Sequence, residues 1–489
     1  MNEPASLTST HPLTASFRDP AGSLFRYEGR ILRAVNPVGI ADLEAFLASA
    51  SGQKLMSSGS VSRARALDAA ECERLLADSE IRELYGSRGA RMILEHERID
   101  FPSFPYEWTA EMLYAAALLT LDLAQALLAD GLGLKDATPY NILFRGPEPV
   151  FIDILSFERR QAGDPTWLPY AQFVRTFLLP LLANQAYGLG LDQLLTTRRD
   201  GLEPEEVYRW SKPLQRLKPP FFGLVSMPTW LGSRHKQDDH SIYQKKTLSD
   251  PEKARFILET VLNGLRRTLS RLQPAEGARS VWSDYMAVNN NYTADHFQAK
   301  QRFVGEALAE FPARSVLDVG CNTGHFSAIA ARSGASVVAV DYDPVVLGTV
   351  WRQARAEKLD ILPLAVNLTR PSPGTGWRNQ ECASFLDRAR GKFEAVLMLA
   401  VIHHMLVTER VPLADIITLA AELTTKLLII EYVAPEDSMF RRLTRGREEL
   451  HRHLTAELFE SHCRPYFDIV RVQHVEGATR RLYLLRKRA

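Results

Sequence analysis

The sequence predicts an α/β protein in two parts, a C-terminal doubly wound, mostly parallel sheet preceded by an α+β part. Three observations carry this. From residue 315 onward five apolar runs (Ser315–Val319, Ser336–Val340, Ile361–Val366, Ala395–Ala400 and Leu427–Glu431) are mostly separated by helix-periodic stretches, as in a parallel sheet with crossover helices. Phe467–His474 and Arg481–Arg486 then read as two further strands, close enough in sequence to form an antiparallel pair and bring the count to seven. The N-terminal part instead opens on a strand-rich stretch and continues mostly helical.

Length and composition bound the rest. A chain of 489 residues suggests two large domains or about three small ones. With 46% apolar and 24% charged residues it is ordinary globular material, not a disordered or fibrous chain. The 59 basic and 58 acidic side chains nearly cancel, which argues against holding long nucleic acid by an overall field. Cys72, Cys321, Cys382 and Cys463 are far apart and form no Cys-x-x-Cys pair, so neither a disulfide framework nor a structural zinc site is expected. Met1–Phe17 lacks the apolar core of a signal peptide. Met112–Thr120 and Phe177–Ala183 fall short of a bilayer's ~20 residues, so the expectation is a cytoplasmic protein with no membrane span.

Taken in order, Thr14–Val35 with the turn Asp19-Pro20-Ala21-Gly22 reads as a hairpin. Ala41–Ala50 and Asp68–Ala77 read as helices, and Arg91–Glu95 as a strand. Thr109 is placed to cap a buried helix running to Leu128, stopped by Gly131 and Gly133. Leu134–Phe144 is a polar loop entering a strand, and Val150–Asp153 is a strand ending in an acid. Helical character resumes over Leu168–Leu195, Trp210–His240 is rich in Pro, Gly and aromatics and reads as irregular, and Pro251–Leu272 is a helix. The expected organisation is a flexible terminus at 1–13, a first domain at 14–272, a linker at 273–279 and a second domain at 280–489.

The strongest chemical signal is Ser315–Phe326, where an apolar strand runs into Asp318 and Gly320 before a tight loop with Gly324 opens a helix. Glycines suit a backbone that must turn sharply close to a ligand. The second strand ends in Asp341, placed to accept hydrogen bonds from both hydroxyls of a ribose. The dinucleotide fingerprint fails because Asn322 stands two residues after Gly320. An acid beside the loop suits a cationic ligand without phosphates, and S-adenosylmethionine (SAM) carries both an ammonium and a sulfonium.

This block resembles motif I of class I SAM-dependent methyltransferases, which have a seven-stranded Rossmann-like fold. Trp282, Tyr285, Tyr292 and Lys300 before it, and Leu362–Leu368, Pro371–Glu381, Ile402–His404 and Ile430–Asp437 after it, are similar to a bacterial methyltransferase group labelled nodulation-protein-like, over about 280–489. The resemblance implies a cofactor site of Asp318, Gly320, Cys321, Asn322, Thr323, Gly324, Asp341, Tyr342, Asn367 and Leu368. Asn367 and Leu368 would border the adenine. His403-His404, at the end of the fourth strand, and Glu431, at the end of the fifth, are the candidate catalytic groups. Either a histidine here takes a proton from the acceptor, or one of the two packs under the sheet and the other orients a loop. Pro371–Arg390 is expected to wall the acceptor site. Neighbouring residues on a strand face opposite ways, so His403 and His404 are not expected to share a metal. Arg441, Arg442, Arg445, Arg447 and Arg452, near Glu448 and Glu449, form either a solvated helix face or a site for an anionic acceptor.

In the N-terminal part, Asp136, Asn141 and Asp153 have the order and spacing of a phosphoryl-transfer site, with one acid beside the attacking hydroxyl and an amide and acid for Mg²⁺. The region resembles protein-kinase-like and aminoglycoside-phosphotransferase-like folds over about 14–270, with Leu134-Lys135-Asp136 where those families place His-x-Asp. Ile154-Leu155 replaces Phe-Gly, no glycine-rich phosphate loop is present, and Lys54 is the weak candidate for the phosphate-binding lysine. Three roles stay open: an idle fold that recruits the acceptor, a small-molecule kinase using a Mg-nucleotide, or loop caps. The whole chain is expected to methylate a small molecule or glycan rather than RNA, or else to bind SAM as a regulator.

Overall fold

The computed structural model describes residues 11–12, 18–232, 247–277, 280, 294–474 and 479–488. Trp282, Tyr285 and Tyr292 lie outside them. The chain begins with an antiparallel sheet of strands β1 (His11–Pro12), β2 (Gly22–Tyr27), β3 (Arg30–Val35), β4 (Ala64–Ala66) and β5 (Met92–His96), in the order β1-β2-β3-β5-β4. The hairpin turn is Glu28-Gly29, with φ of 48° and 76°, and not Asp19–Gly22. Left-handed backbone at both turn residues matches the twist of the flanking strands. Asp19 instead shapes the approach to β2, its Oδ1 accepting the Ala21 N–H at 2.8 Å.

A helical lobe follows. Thr109 Oγ1 accepts the Met112 N–H at 3.3 Å and opens the helix Ala110–Leu127. With its terminal turn to Asp130, this segment is long and apolar enough to cross a bilayer, more than the run Met112–Thr120 suggested, and 61% of its apolar window is buried in the protein. Its polar residues Asp122 and Gln125 meet Arg266 of the helix Pro251–Ser270, which packs along it. Four short strands, β6 (Leu132–Leu134), β7 (Ile142–Arg145), β8 (Glu148–Phe151) and β9 (Phe157–Arg159), pair as β6 with β9 and β7 with β8. They hold the loops carrying Asp136, Asn141 and Asp153. The stretch expected to be irregular contains short helical turns at Gln215–Leu217, Phe222–Ser226 and Met227–Gly232.

The second sheet has seven strands: β10 (Ser315–Val319), β11 (Ser336–Asp341), β12 (Ile361–Ala365), β13 (Phe393–Met398), β14 (Thr424–Val433), β15 (Phe467–His474) and β16 (Arg480–Lys487). Their order is β12-β11-β10-β13-β14-β16-β15, the first five parallel and β16 antiparallel to both neighbours. The parallel strands are buried on both faces, which is why they read as continuous apolar runs rather than alternating ones. Strand order reverses between β10 and β13, so a crevice opens at their carboxyl ends.

The two parts pack closely. Phe101 stacks near Phe385 and Phe393, with ring centroids 5.9 and 5.7 Å away, and Trp351 Nε1 donates to the Pro147 carbonyl at 3.0 Å. Fully buried Glu107 accepts from Arg388 and Ser372, and buried Glu381 sits between Arg18 and Arg199, both at 2.7 Å. The segment Pro371–Arg390 therefore docks on the N-terminal part and contributes no residue to the cavity at the strand ends. Its buried Cys382, Phe385 and Ala389 decide this against the expected acceptor wall.

Candidate functional site

A cavity of about 360 Å³ lies at the carboxyl ends of β10, β11 and β13. After Asp318 the chain turns through Gly320 (φ 69°), Asn322 (φ 50°) and Gly324 (φ 78°) into the helix His325–Arg332. Left-handed backbone at these positions suits glycine, and asparagine tolerates it next best. Asn322 helps itself by accepting the Thr323 N–H on Oδ1 at 2.7 Å. A Cβ on Gly320 would lie 3.1 Å from Val401, and one on Gly324 2.9 Å from Val350. Asp318, Gly320, Cys321, Asn322, Thr323, Asp341, Tyr342, Asn367 and Leu368 all line the cavity; Gly324 does not.

Asp341 accepts the backbone N–H groups of Asn322 and Asp343 at 3.0 and 3.1 Å, one on each oxygen. Burial raises its pKa, opposed by these donors. Asp318 is 2% exposed and accepts the Ser327 hydroxyl at 2.6 Å. Burial pushes its pKa up to about 6, against the pull of Ser327 and Lys300. Burial likewise keeps the Cys321 thiol protonated. Asn367 Oδ1 is taken by the Thr369 N–H and hydroxyl at 3.0 and 2.6 Å.

The candidate catalytic residues separate. Ala400 turns at φ 54° and a helix, Ile402–Val407, begins at once, so His403 and His404 are not on the strand. Successive helical positions are about 100° apart. His404 lines the cavity, while His403 is fully buried, does not line it, and has no hydrogen-bond partner on either nitrogen among the described residues. Both imidazoles are held neutral, His404 near 4 by burial and then by the Arg480 charge. Glu431 is also fully buried and away from the cavity, held by Lys300 Nζ at 2.6 Å and Arg480 at 3.5 Å, with Arg480 in turn bidentate to Asp437. It joins the sheet to the helix Ala294–Glu310 through Lys300, which does line the cavity. Phe297, His325, Phe326, Thr369, Met405 and Glu409 also line the cavity. Of these, only His325 and Phe326 carried a sequence signal, as the first residues after the glycine loop.

The N-terminal constellation is assembled as well. Asn141 Nδ2 donates to Ser156 Oγ at 3.2 Å, and Ser156 donates to Asp153 Oδ2 at 2.6 Å. Gln172 Nε2 lies 3.5 Å from Asp136 Oδ1. Asp153 is also joined by a cation the sequence reading missed: Arg33 of β3, whose guanidinium lies 2.8 Å from Oδ1. Burial pulls the Asp153 pKa upward, but Arg33 and Ser156 outweigh it; Asp136 is raised by burial and by the Asp153 charge. Lys54 is exposed on the helix Ala50–Ser57 and has no part in this cluster. Among the described residues, no group of three His, Cys, Asp or Glu side chains is arranged to hold a metal.

A methyltransferase-domain family profile matches residues 292–469. Nodulation protein NoeA of Rhizobium meliloti (strain 1021) is 31% identical over 473 residues, covering 96% of this chain and 95% of that protein. Among solved structures, the N-methyltransferase NodS from Bradyrhizobium japonicum WM9 is 13% identical with a TM-score of 0.31, over 40% of this chain and 98% of its own. The bifunctional kinase-methyltransferase WbdD is 15% identical with a TM-score of 0.28, over 41% of each chain. The magnesium protoporphyrin IX methyltransferase ChlM from Synechocystis PCC 6803 with bound SAH is 19% identical with a TM-score of 0.31, over 46% of this chain and 94% of its own. With a third of its residues shared along almost the full length of both chains, and with the strand order and acid-flanked loop described above, the chain belongs to the NoeA nodulation-protein family and is a SAM-dependent methyltransferase.

Proposed function

We propose that the protein methylates a bacterial small molecule or glycan, with residues 280–489 performing the transfer and residues 14–272 acting as a rigid, non-phosphorylating support. The observation that carries the site assignment is Asp341: backbone N–H groups, those of Asn322 and Asp343 among them, hold its carboxylate in place on the cavity wall at the end of β11, where it would accept from the ribose. Asp318 would hold the ammonium of SAM. Asn367, its oxygen occupied by Thr369, would present its NH₂ to a ring nitrogen of the adenine, with Leu368 beside it. SAM supplies an electrophilic methyl group on a sulfonium.

The chain's own contribution is alignment in a dry site, which lowers the entropic part of the barrier. His404 is neutral and can accept a hydrogen bond from the acceptor. A group that titrates near 4 is a weak proton acceptor at neutral pH, so orientation and not general-base strength is its role. Incubation with methyl-labelled SAM and fractionated bacterial extract tests the reading. Label should enter a small-molecule or glycan fraction with release of S-adenosylhomocysteine. Tight SAM binding without turnover in any fraction would instead make the protein a SAM-binding regulator.

The support role rests on the Arg33–Asp153 contact. A magnesium ion at Asp153 would have to displace a buried guanidinium and the Ser156 hydroxyl. We therefore read Asp136, Asn141 and Asp153 as a relic of phosphoryl-transfer architecture, and we expect no saturable Mg-ATP binding by titration.

A further inference from the structure

Beside the SAM cavity lies a second, larger cleft of about 1190 Å³, and the two share Thr408 and Leu443 as walls. It is built from three stretches that the sheet brings together: the connection after the helix Ile402–Val407, the helix Ser438–Thr444 with the loop after it, and the helix Ala456–Cys463. Arg410, Arg442, Arg445 and Arg447 line it, and all four are exposed. Arg410 and Arg445 have left-handed backbone (φ 56° and 51°). Among the described residues none of the four pairs with a carboxylate, and none of the residues lining the cleft is Asp or Glu. The nearby acids are engaged elsewhere: Glu448 accepts from Thr444 and Gly446, and Glu449 pairs with Arg452.

A solvated helix face is the ordinary fate of a charge run, and it interleaves both signs. Here one sign gathers on the walls of a concavity. Leu406, Val411, Leu413, Leu450 and Leu458 line the cleft together with the arginines, as do His451, His453 and His462. Guanidinium groups present planar forks of N–H donors that match phosphate oxygens, and the leucines match a hydrocarbon.

Resting on the methyltransferase reading, the geometry points to this cleft as the seat of the acceptor, and to an acceptor that is a phosphate ester with an apolar chain. The arginines hold the phosphate, the leucines hold the chain, and the shared Thr408–Leu443 edge directs the reacting end toward the sulfonium. The SAM cavity itself carries three acids, Asp318, Asp341 and Glu409, against one lysine, Lys300, and so suits an anionic acceptor less well.

The test is calorimetric titration of the full chain with geranyl monophosphate, geraniol and inorganic phosphate. The same titrations are run on Arg442→Gln/Arg447→Gln, residues that touch neither the cavity's acids nor its loop. Geranyl monophosphate should bind the natural chain and lose at least tenfold in affinity in the double variant, while SAM affinity stays unchanged. Equal affinity for geraniol, or an unchanged affinity in the double variant, overturns the phosphate contact. Inorganic phosphate binding as tightly as the ester overturns the apolar half. Co-sedimentation with phosphatidylglycerol vesicles in the absence of ester binding would assign the cleft to a membrane surface and overturn the proposal. Loss of SAM binding by the natural chain would refute the methyltransferase site alone, because ester binding is read separately.

Discussion

Replacing Glu107 with Gln probes the joint between the two parts of the molecule. Glu107 is 0% and Arg388 6% exposed, and the carboxylate also accepts from Ser372 and from the Phe104 N–H at 3.1 Å. Without the negative charge, the Arg388 guanidinium would face a neutral amide, and besides it only the Pro102, Ala383 and Ser384 carbonyls and the ring faces of Phe101, Phe104 and Phe385. Stranding a buried charge in this way costs about 3–5 kcal/mol. The same interface supplies its own control: Arg355–Glu148 is 43% and 55% exposed, so Glu148→Gln should cost no more than about 1 kcal/mol. Urea unfolding with an unchanged slope is the assay. Combining Glu107→Gln with Arg388→Met should cost less than the sum of the single changes, because the second removes the stranded cation. A loss for Glu107→Gln no larger than that for Glu148→Gln would refute the claim that this buried pair holds the two parts together.

Other consequences follow from the site. Burial places the Asp318 pKa at about 6, and the proposed ammonium contact needs its ionised form, so SAM affinity should fall as pH drops below about 6 and stay flat above it. Asp318→Asn should abolish that dependence, as calorimetry at several pH values would show. His404→Gln should lower kcat by less than about tenfold, below the roughly 10²–10⁴ of a true general base, and the pH–rate profile should have no step near the usual histidine value. A large loss with such a step would make His404 the base. Lys300→Met leaves Glu431 buried with one fewer cation and should destabilise the fold by roughly 3 kcal/mol in thermal unfolding. Gly324→Val meets Val350 at 2.9 Å with φ at 78°, so it should lose SAM binding through a displaced loop, read as lower affinity in a folded variant.

The sheet was legible in the sequence because parallel strands buried on both faces leave long apolar runs, and β10 through β16 fall within a few residues of those runs. The tight loop after β10 was legible for a local reason: its turn needs glycine or asparagine at fixed offsets, and Asp341 follows one strand later. Features set by distant contacts were not legible. Arg33 meets Asp153 across 120 residues, and nothing in the alternation of β3 announces a partner in a later loop. His403 and His404 read as a strand end because the run Ala395–Ala400 is apolar to its last residue, and the left-handed turn at Ala400 that starts a helix has no glycine to mark it. Pro371–Arg390 reads as a ligand wall because it follows the third strand at the sheet edge where the ligand binds. Its interface role depends on Glu107 and Arg199, which lie far earlier in the chain.

Titration of SAM into the natural chain and into Asp341→Ala tests the central claim most directly. The natural chain should bind SAM, and the variant, still folded by circular dichroism, should bind it more weakly by about 1–3 kcal/mol, the cost of leaving the ribose hydroxyls without their buried partner. Equal affinity in the two proteins would contradict the assignment of this carboxylate, and with it the placement of the cofactor at the ends of β10 and β11.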